Sequence, residues 1–185
     1  FPPIGPGNVT RVGAMTVAFQ GAAAALSYSV DGKSVQKQIQ PQVFGAAAAS
    51  CVPTAADRSS LSNYQDLWWN PAESGWGLNI AHQGDVLFAT LFTYDAAGKP
   101  TWFVMSAGAK QPDASYAGDL FQTSGPPFDA SPFTPIGPQN VVKVGTMQLR
   151  FGNGTSGTLA YSVNGKHVNK AITRQVFSTP LPACS

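Results

Sequence analysis

The chain has 185 residues, of which 43% are hydrophobic and only 11% charged, with a formal net charge of +2. Soluble domains carry about 25% charged residues, so this near-neutral chain without a basic stripe is no electrostatic nucleic-acid binder. It is too apolar to be disordered throughout, and no apolar run approaches the roughly 18 residues of a membrane-spanning helix. Glu occurs once, as Glu73, beside 19 Gly and 15 Pro. Helical surfaces favour Glu, Lys and Gln, so the composition points to an all-β, exported chain.

In chain order, the first segment, 1–44, holds an alternating run, Leu26, Tyr28 and Val30, ended by Asp31-Gly32. Asp-Gly between alternating runs is a strong hairpin signal. Residues 45–63 are rich in Ala, Ser and Thr and include Pro53, and they read as a linker. Strands are predicted at Gly75–His82, Val86–Asp95, Thr101–Gly108 and Tyr116–Thr123, joined by Gln83-Gly84-Asp85 and Ala96-Ala97-Gly98-Lys99 turns. Val141–Phe151, Thr158–Val163 and Val168–Phe177 complete the set, with Asn164-Gly165 as a second hairpin turn. Strands about 10 residues apart with short turns predict an antiparallel meander, either a barrel or a sandwich. The Ala22–Ala25 and Ala46–Ala49 runs are too short for stable helices.

Self-comparison finds one C-type half twice. Ile4-Gly5-Pro6, Val12-Gly13, Met15 and Phe19 recur 132 positions later as Ile136-Gly137-Pro138, Val144-Gly145, Met147 and Phe151. After one inserted residue the offset is 133, so Tyr28 matches Tyr161 and Gln42-Val43-Phe44 matches Gln175-Val176-Phe177. Cys51 and Cys184 each lie seven residues past the matching Phe. The expected organisation is a half-repeat of about three strands (1–44), a linker (45–63), a complete unit (64–177) and a tail carrying Cys184 (178–185). The half-repeat could pack within its own chain, displace 133–177 from the complete unit, or pair with another subunit's edge. An isolated small sheet is only marginally stable.

The densest stretch is Trp68-Trp69-Asn70-Pro71-Ala72-Glu73-Ser74-Gly75-Trp76-Gly77. With Gln83-Gly84, the Phe88–Gly98 segment and Pro100-Thr101-Trp102-Phe103-Val104, it resembles a family of bacterial secreted proteins and accessory domains carrying a WWNPxESGWG-type β-repeat. The resemblance covers 64–177 and, as a half copy, 1–44. It implies secretion, a bacterial extracellular or cell-surface setting and a β fold rather than an activity. A looser likeness to lipocalin-like barrels implies Arg174 on the last strand stacking on Trp76 of the first.

Trp68, Trp69, Trp76 and Trp102 either form a sugar-stacking platform or plug a core or barrel end. Glu73 with Asp66 would be a glycosidase pair, which needs two carboxylates at a defined spacing. A lone Glu in a Pro-Gly turn argues instead for a structural Glu73, paired with Arg174 or with N–H groups of its own turn. Arg174 corresponds to Pro41 in the first copy. His82 and His167 are single and far apart, and His82 reads as a turn or surface residue. Asn8-Val9-Thr10 and Asn153-Gly154-Thr155 are formal glycosylation sequons. No Cys/His spacing suggests a metal, no phosphate loop or Gly-x-Ser-x-Gly is present, and no cofactor is expected. Cys51 and Cys184 are expected to bond within the chain, with pairing between chains as the alternative. These readings converge on a non-catalytic extracellular structural protein. It would self-assemble into a homo-oligomer, filament or matrix by β-strand pairing or exchange. The alternative is an accessory module binding polysaccharide or a small ligand through the Trp-rich stretch.

Overall fold

A computed structural model describes residues 4–46, 48–54 and 57–185. It is all-β, in two compact units. The larger unit takes its described residues from 44–123 and 142–185, and the smaller is 4–43 with 124–141.

The larger unit is a closed antiparallel barrel. Its strands are β5 (Asp66–Trp69), β6 (Gly77–Gln83), β7 (Val86–Tyr94), β8 (Pro100–Lys110), β9 (Tyr116–Thr123), β10 (Val141–Phe151), β11 (Ser156–Val163) and β12 (Lys166–Arg174). Each strand pairs with the next, and β12 returns to β5 through Thr173↔Trp69 and Arg174↔Trp68. The meander is therefore a barrel rather than a sandwich. Period-two alternation explains its core. Leu78 and Ile80 of β6, Leu87, Ala89 and Leu91 of β7, and Phe103 and Met105 of β8 point inward. Leu120, Met147, Leu149, Leu159 and Ile172 supply the remaining wall. A closed barrel leaves no free sheet edge.

The smaller unit holds one sheet, β1 (Gly13–Gln20), β2 (Ala23–Val30) and β3 (Lys33–Ile39), in that order. Its register matches that of β10–β12. Met15↔Tyr28 and Tyr28↔Val35 parallel Met147↔Tyr161 and Tyr161↔Val168. The repeated Val-Gly has a steric cause. A Cβ on Gly13 would lie 1.7 Å from the Ser29 carbonyl oxygen, and one on Gly145 would lie 1.9 Å from that of Ser162. Both hairpin turns put two consecutive residues at positive φ, Asp31-Gly32 at 47° and 81° and Asn164-Gly165 at 49° and 80°. Paired positive φ is what the tight turn matching strand twist requires.

Four strands differ from expectation. The segment read as a linker contains β4 (Cys51–Thr54), and the tail contains β13 (Leu181–Cys184). The two pair antiparallel and are joined by the Cys51–Cys184 disulfide, so the cysteines bond within the chain. The Trp-Trp dipeptide, which falls in none of the predicted strands, belongs to β5, which closes the barrel. Strand β12 ends at Arg174, three residues short of the predicted Phe177. The Ala22–Ala25 run enters β2. The β5–β9 half is completed by β10–β12, not by the first copy.

Candidate functional site

The two ends of the barrel are built differently. The end carrying the β6–β7 turn is plugged by aromatic rings. Tyr64 stacks on Phe151 at 3.7 Å between centroids and on His82 at 5.6 Å, with Trp68 and Tyr116 edge-on at 6.5 and 6.1 Å. The Trp68 indole N–H donates to the Tyr64 carbonyl at 2.9 Å. His82 is buried, not a surface residue as expected. Its Nδ1 accepts the Tyr64 backbone N–H at 3.0 Å, which places the ring proton on Nε2, 2.8 Å from the Gly84 carbonyl and 3.2 Å from the Tyr116 hydroxyl. Burial lowers the His82 pKa and raises that of Tyr116.

Beneath this plug lie two buried guanidiniums and one carboxylate. Arg58 Nη1 donates to Asp66 Oδ2 at 2.6 Å, and Arg174 Nε stands 3.9 Å from the same oxygen. Arg174 Nη2 donates to the Asn63 carbonyl at 2.6 Å, and its guanidinium lies 5.1 Å from the Trp68 ring. Desolvation lowers the Arg174 pKa to about 10, leaving it charged at neutral pH. Arg174 therefore stacks on Trp68, not on Trp76 as the lipocalin likeness implies. Arg174 is the second of the two β12 residues that pair with β5, so Trp68 is its direct cross-strand neighbour. Asp66 is thus shared between both arginines. Sequence reasoning missed Arg58, whose one signal was a lone cation in an otherwise apolar and hydroxyl-rich segment.

The opposite end carries the 70–76 loop. Glu73 pairs with neither Arg174 nor a backbone N–H of its turn, because Arg174 sits at the far end of β12. Its Oε2 accepts from Lys170 Nζ at 2.5 Å and from the Trp76 indole N–H at 3.0 Å. The Lys170 hydrogen bond is the main cause of a lowered Glu73 pKa. Lys170 Nζ lies 5.6 Å from the Trp76 ring centroid.

The four tryptophans do not form one platform. Trp68 and Trp76 are buried in the barrel and Trp69 is half-buried. Trp102 alone stands well clear, 50% exposed, opposite Phe92, itself 51% exposed, on the outer face of β7–β8. The Asn153 sequon is spent locally, since its Oδ1 accepts the Thr155 and Ser156 backbone N–H groups at 2.8 and 2.9 Å.

No family model, curated protein or solved structure matches the chain.

Within the barrel, the mouth beside the β7–β8 and β11–β12 turns encloses a cavity of about 410 Å³. Phe103, Tyr161, Val163 and Val168 form its apolar wall. Outside the barrel, a groove of about 470 Å³ runs past Asp119, Gln148, Ser162 and His167. Among the described residues, no group of His, Cys, Asp or Glu is arranged to hold a metal ion.

The third candidate is the β1–β3 sheet. Met15 and Phe19 are 67% and 81% exposed, whereas Met147, in the matching register position, is buried in the barrel. Phe128 lies 6.0 Å from the Tyr28 ring, and Phe133 lies beneath Lys37 Nζ at 4.6 Å. These rings dress the β2–β3 side of the face, while Met15, Val17 and Phe19 on β1 remain exposed.

Proposed function

We propose that the protein is a non-catalytic extracellular structural subunit that associates with further copies of itself through strand β1. The observation carrying this reading is the exposed Met15, Val17 and Phe19 row on a sheet whose twin register lines a barrel core. Strand β3 bears Lys33 and Lys37, charges of the kind that protect an edge, whereas β1 (GAMTVAFQ) has neither charge nor proline. Exchange of β1–β3 for β10–β12 would release one such sheet for each one captured, so it gains no burial. Direct pairing of β1 with β1 of a second copy gains both ladder hydrogen bonds and apolar contact. That contact is two-fold and closes as a dimer, and a filament or matrix needs exchange or a second contact beyond it. A disulfide within the chain supports an oxidising, extracellular location.

The test is light scattering over a concentration series beside negative-stain microscopy, with Met15→Ser and Phe19→Ser. Both side chains are exposed, so the fold survives their replacement. Wild type should exceed the 19.3 kDa of one chain and the variants should return to it. A wild-type monomer at about 100 μM, weaker than ordinary specific interfaces, would sink the reading.

The carbohydrate-binding alternative rests on the Phe92–Trp102 pair, whose exposed rings offer a stacking surface. A polysaccharide that shifts tryptophan emission in wild type but not in Trp102→Ala would favour it.

A further inference from the structure

The smaller unit displays a solved recognition problem. The Phe128 ring packs 6.0 Å from Tyr28, whose hydroxyl donates to the Phe128 carbonyl at 3.3 Å. The next residue, Asp129, is ion-paired with Lys33. Tyr28 and Lys33 share one face of the β2–β3 hairpin, because Tyr28 pairs with Val35 and Val30 pairs with Lys33. The hairpin thus holds an aromatic residue followed directly by a carboxylate.

The β11–β12 hairpin repeats that face residue for residue. Tyr161 pairs with Val168, and Val163 with Lys166, at an offset of 133 throughout. These four residues line the 410 Å³ barrel mouth, with Phe103 as the opposing wall. Among the described residues, no side chain fills the bore there. Val163 and Val168 stand at this end, where Tyr64, Trp68, His82, Tyr116 and Phe151 fill the other. Among the described residues Lys166 has no ion-pair partner. Asp95, on the rim, spends Oδ1 on the Ala97 and Lys99 N–H groups of its own turn. The deeper Lys170 is neutralised by Glu73.

We propose that the barrel mouth binds an extended peptide segment through an aromatic residue followed by an acidic one, the ring on Tyr161 and the carboxylate at Lys166. The volume falls within the ordinary range of ligand pockets. The site does not depend on the β1 contact proposed above.

The test titrates a fluorescein-labelled Gly-Pro-Pro-Phe-Asp-Ala-Ser peptide, the sequence of residues 125–131, into the whole chain and follows anisotropy. Saturable binding at one peptide per chain is expected. Replacing the peptide's Phe by Ala should weaken it by about tenfold or more, and Lys166→Glu by about three- to fivefold. Lys166 is on the exposed rim, so its variant keeps the fold. A peptide with Lys in place of Asp should regain affinity for Lys166→Glu. Lys33→Glu should leave binding intact. Carbodiimide crosslinking distinguishes the source: Asp129–Lys166 links between two copies make the donor a second copy, and their absence with peptide binding retained makes it another protein. No binding at about 1 mM peptide, or loss in Lys33→Glu with retention in Lys166→Glu, overturns the proposal.

Discussion

Asp66 is the single carboxylate between two guanidiniums that are 2% and 4% exposed. Asp66→Asn keeps the shape of the side chain and the Leu67 N–H contact now made by Oδ1 at 2.9 Å, but removes the charge. Arg58 then loses its 2.6 Å ion pair and Arg174 its nearest counter-charge. Removing one partner of a buried pair costs about 3–5 kcal/mol, chiefly because the survivor stays charged in a poor solvent. Here two cations survive, so the upper half of that range applies, offset in part by the Trp68 ring under Arg174. A loss of about 4 kcal/mol corresponds to a fall in Tm of roughly 8–16 °C for a chain of this size. The assay is equilibrium urea unfolding followed by tryptophan emission, with an unchanged slope required for the comparison. The triple variant Arg58→Met, Asp66→Leu, Arg174→Met should lose less than Asp66→Asn alone, because it buries no unpaired charge. A loss under about 1 kcal/mol for Asp66→Asn would refute the reasoning and mean that water or backbone carbonyls already solvate the arginines.

Gly154→Ala should destabilise the barrel by about 1–3 kcal/mol, since its Cβ would lie 2.0 Å from the Arg58 carbonyl oxygen and 2.8 Å from that of Leu61; calorimetry checks this. For His82 the folded pKa is lowered, so the unfolded chain binds the proton more readily and stability rises with pH. The stability is fully present above the unfolded value of about 6.5 and is lost as pH falls towards the folded pKa. Burial dominates that shift over the facing Asp85, Lys110 and Arg174 charges. Urea midpoints should therefore fall from pH 7.5 to 5 in wild type and stay flat in His82→Asn, whose amide oxygen replaces Nδ1. Replacing Cys51 and Cys184 by Ala releases a cross-link spanning 133 residues, worth up to about 5 kcal/mol in the chain-entropy account, read as a lower urea midpoint.

Much of the strand order is legible because local signals and tertiary need agree. Asp31-Gly32 and Asn164-Gly165 can take the paired positive φ of a tight hairpin, and Leu159, Tyr161 and Val163 alternate as a half-buried strand must. Strands β4 and β13 are illegible for the opposite reason. Each contains a proline, and Pro53 and Pro182 face one another in the ladder, so nothing local calls for a sheet. The disulfide and the Ser50–Ser185 backbone pair hold it instead. At the site, the aromatic stretch is visible but its division is not. Which tryptophan turns inward depends on where β5 meets β12, and the partner of Glu73 lies 97 residues away. The recurrence of Tyr28 and Lys33 as Tyr161 and Lys166 is legible in the sequence. That the first pair grips Phe128 and Asp129 emerges only from the folded loop.

Strand β12 meets β5 over two residue pairs, while the disulfide joins a residue before β5 to one after β12. The polypeptide from Cys51 to Cys184 is thus a covalent ring. A protease cutting one exposed turn, such as that at Gly98, opens the circle without making two pieces. The nicked protein would run as one species until reduced, and the barrel could be given new ends at any turn without ever parting company with itself.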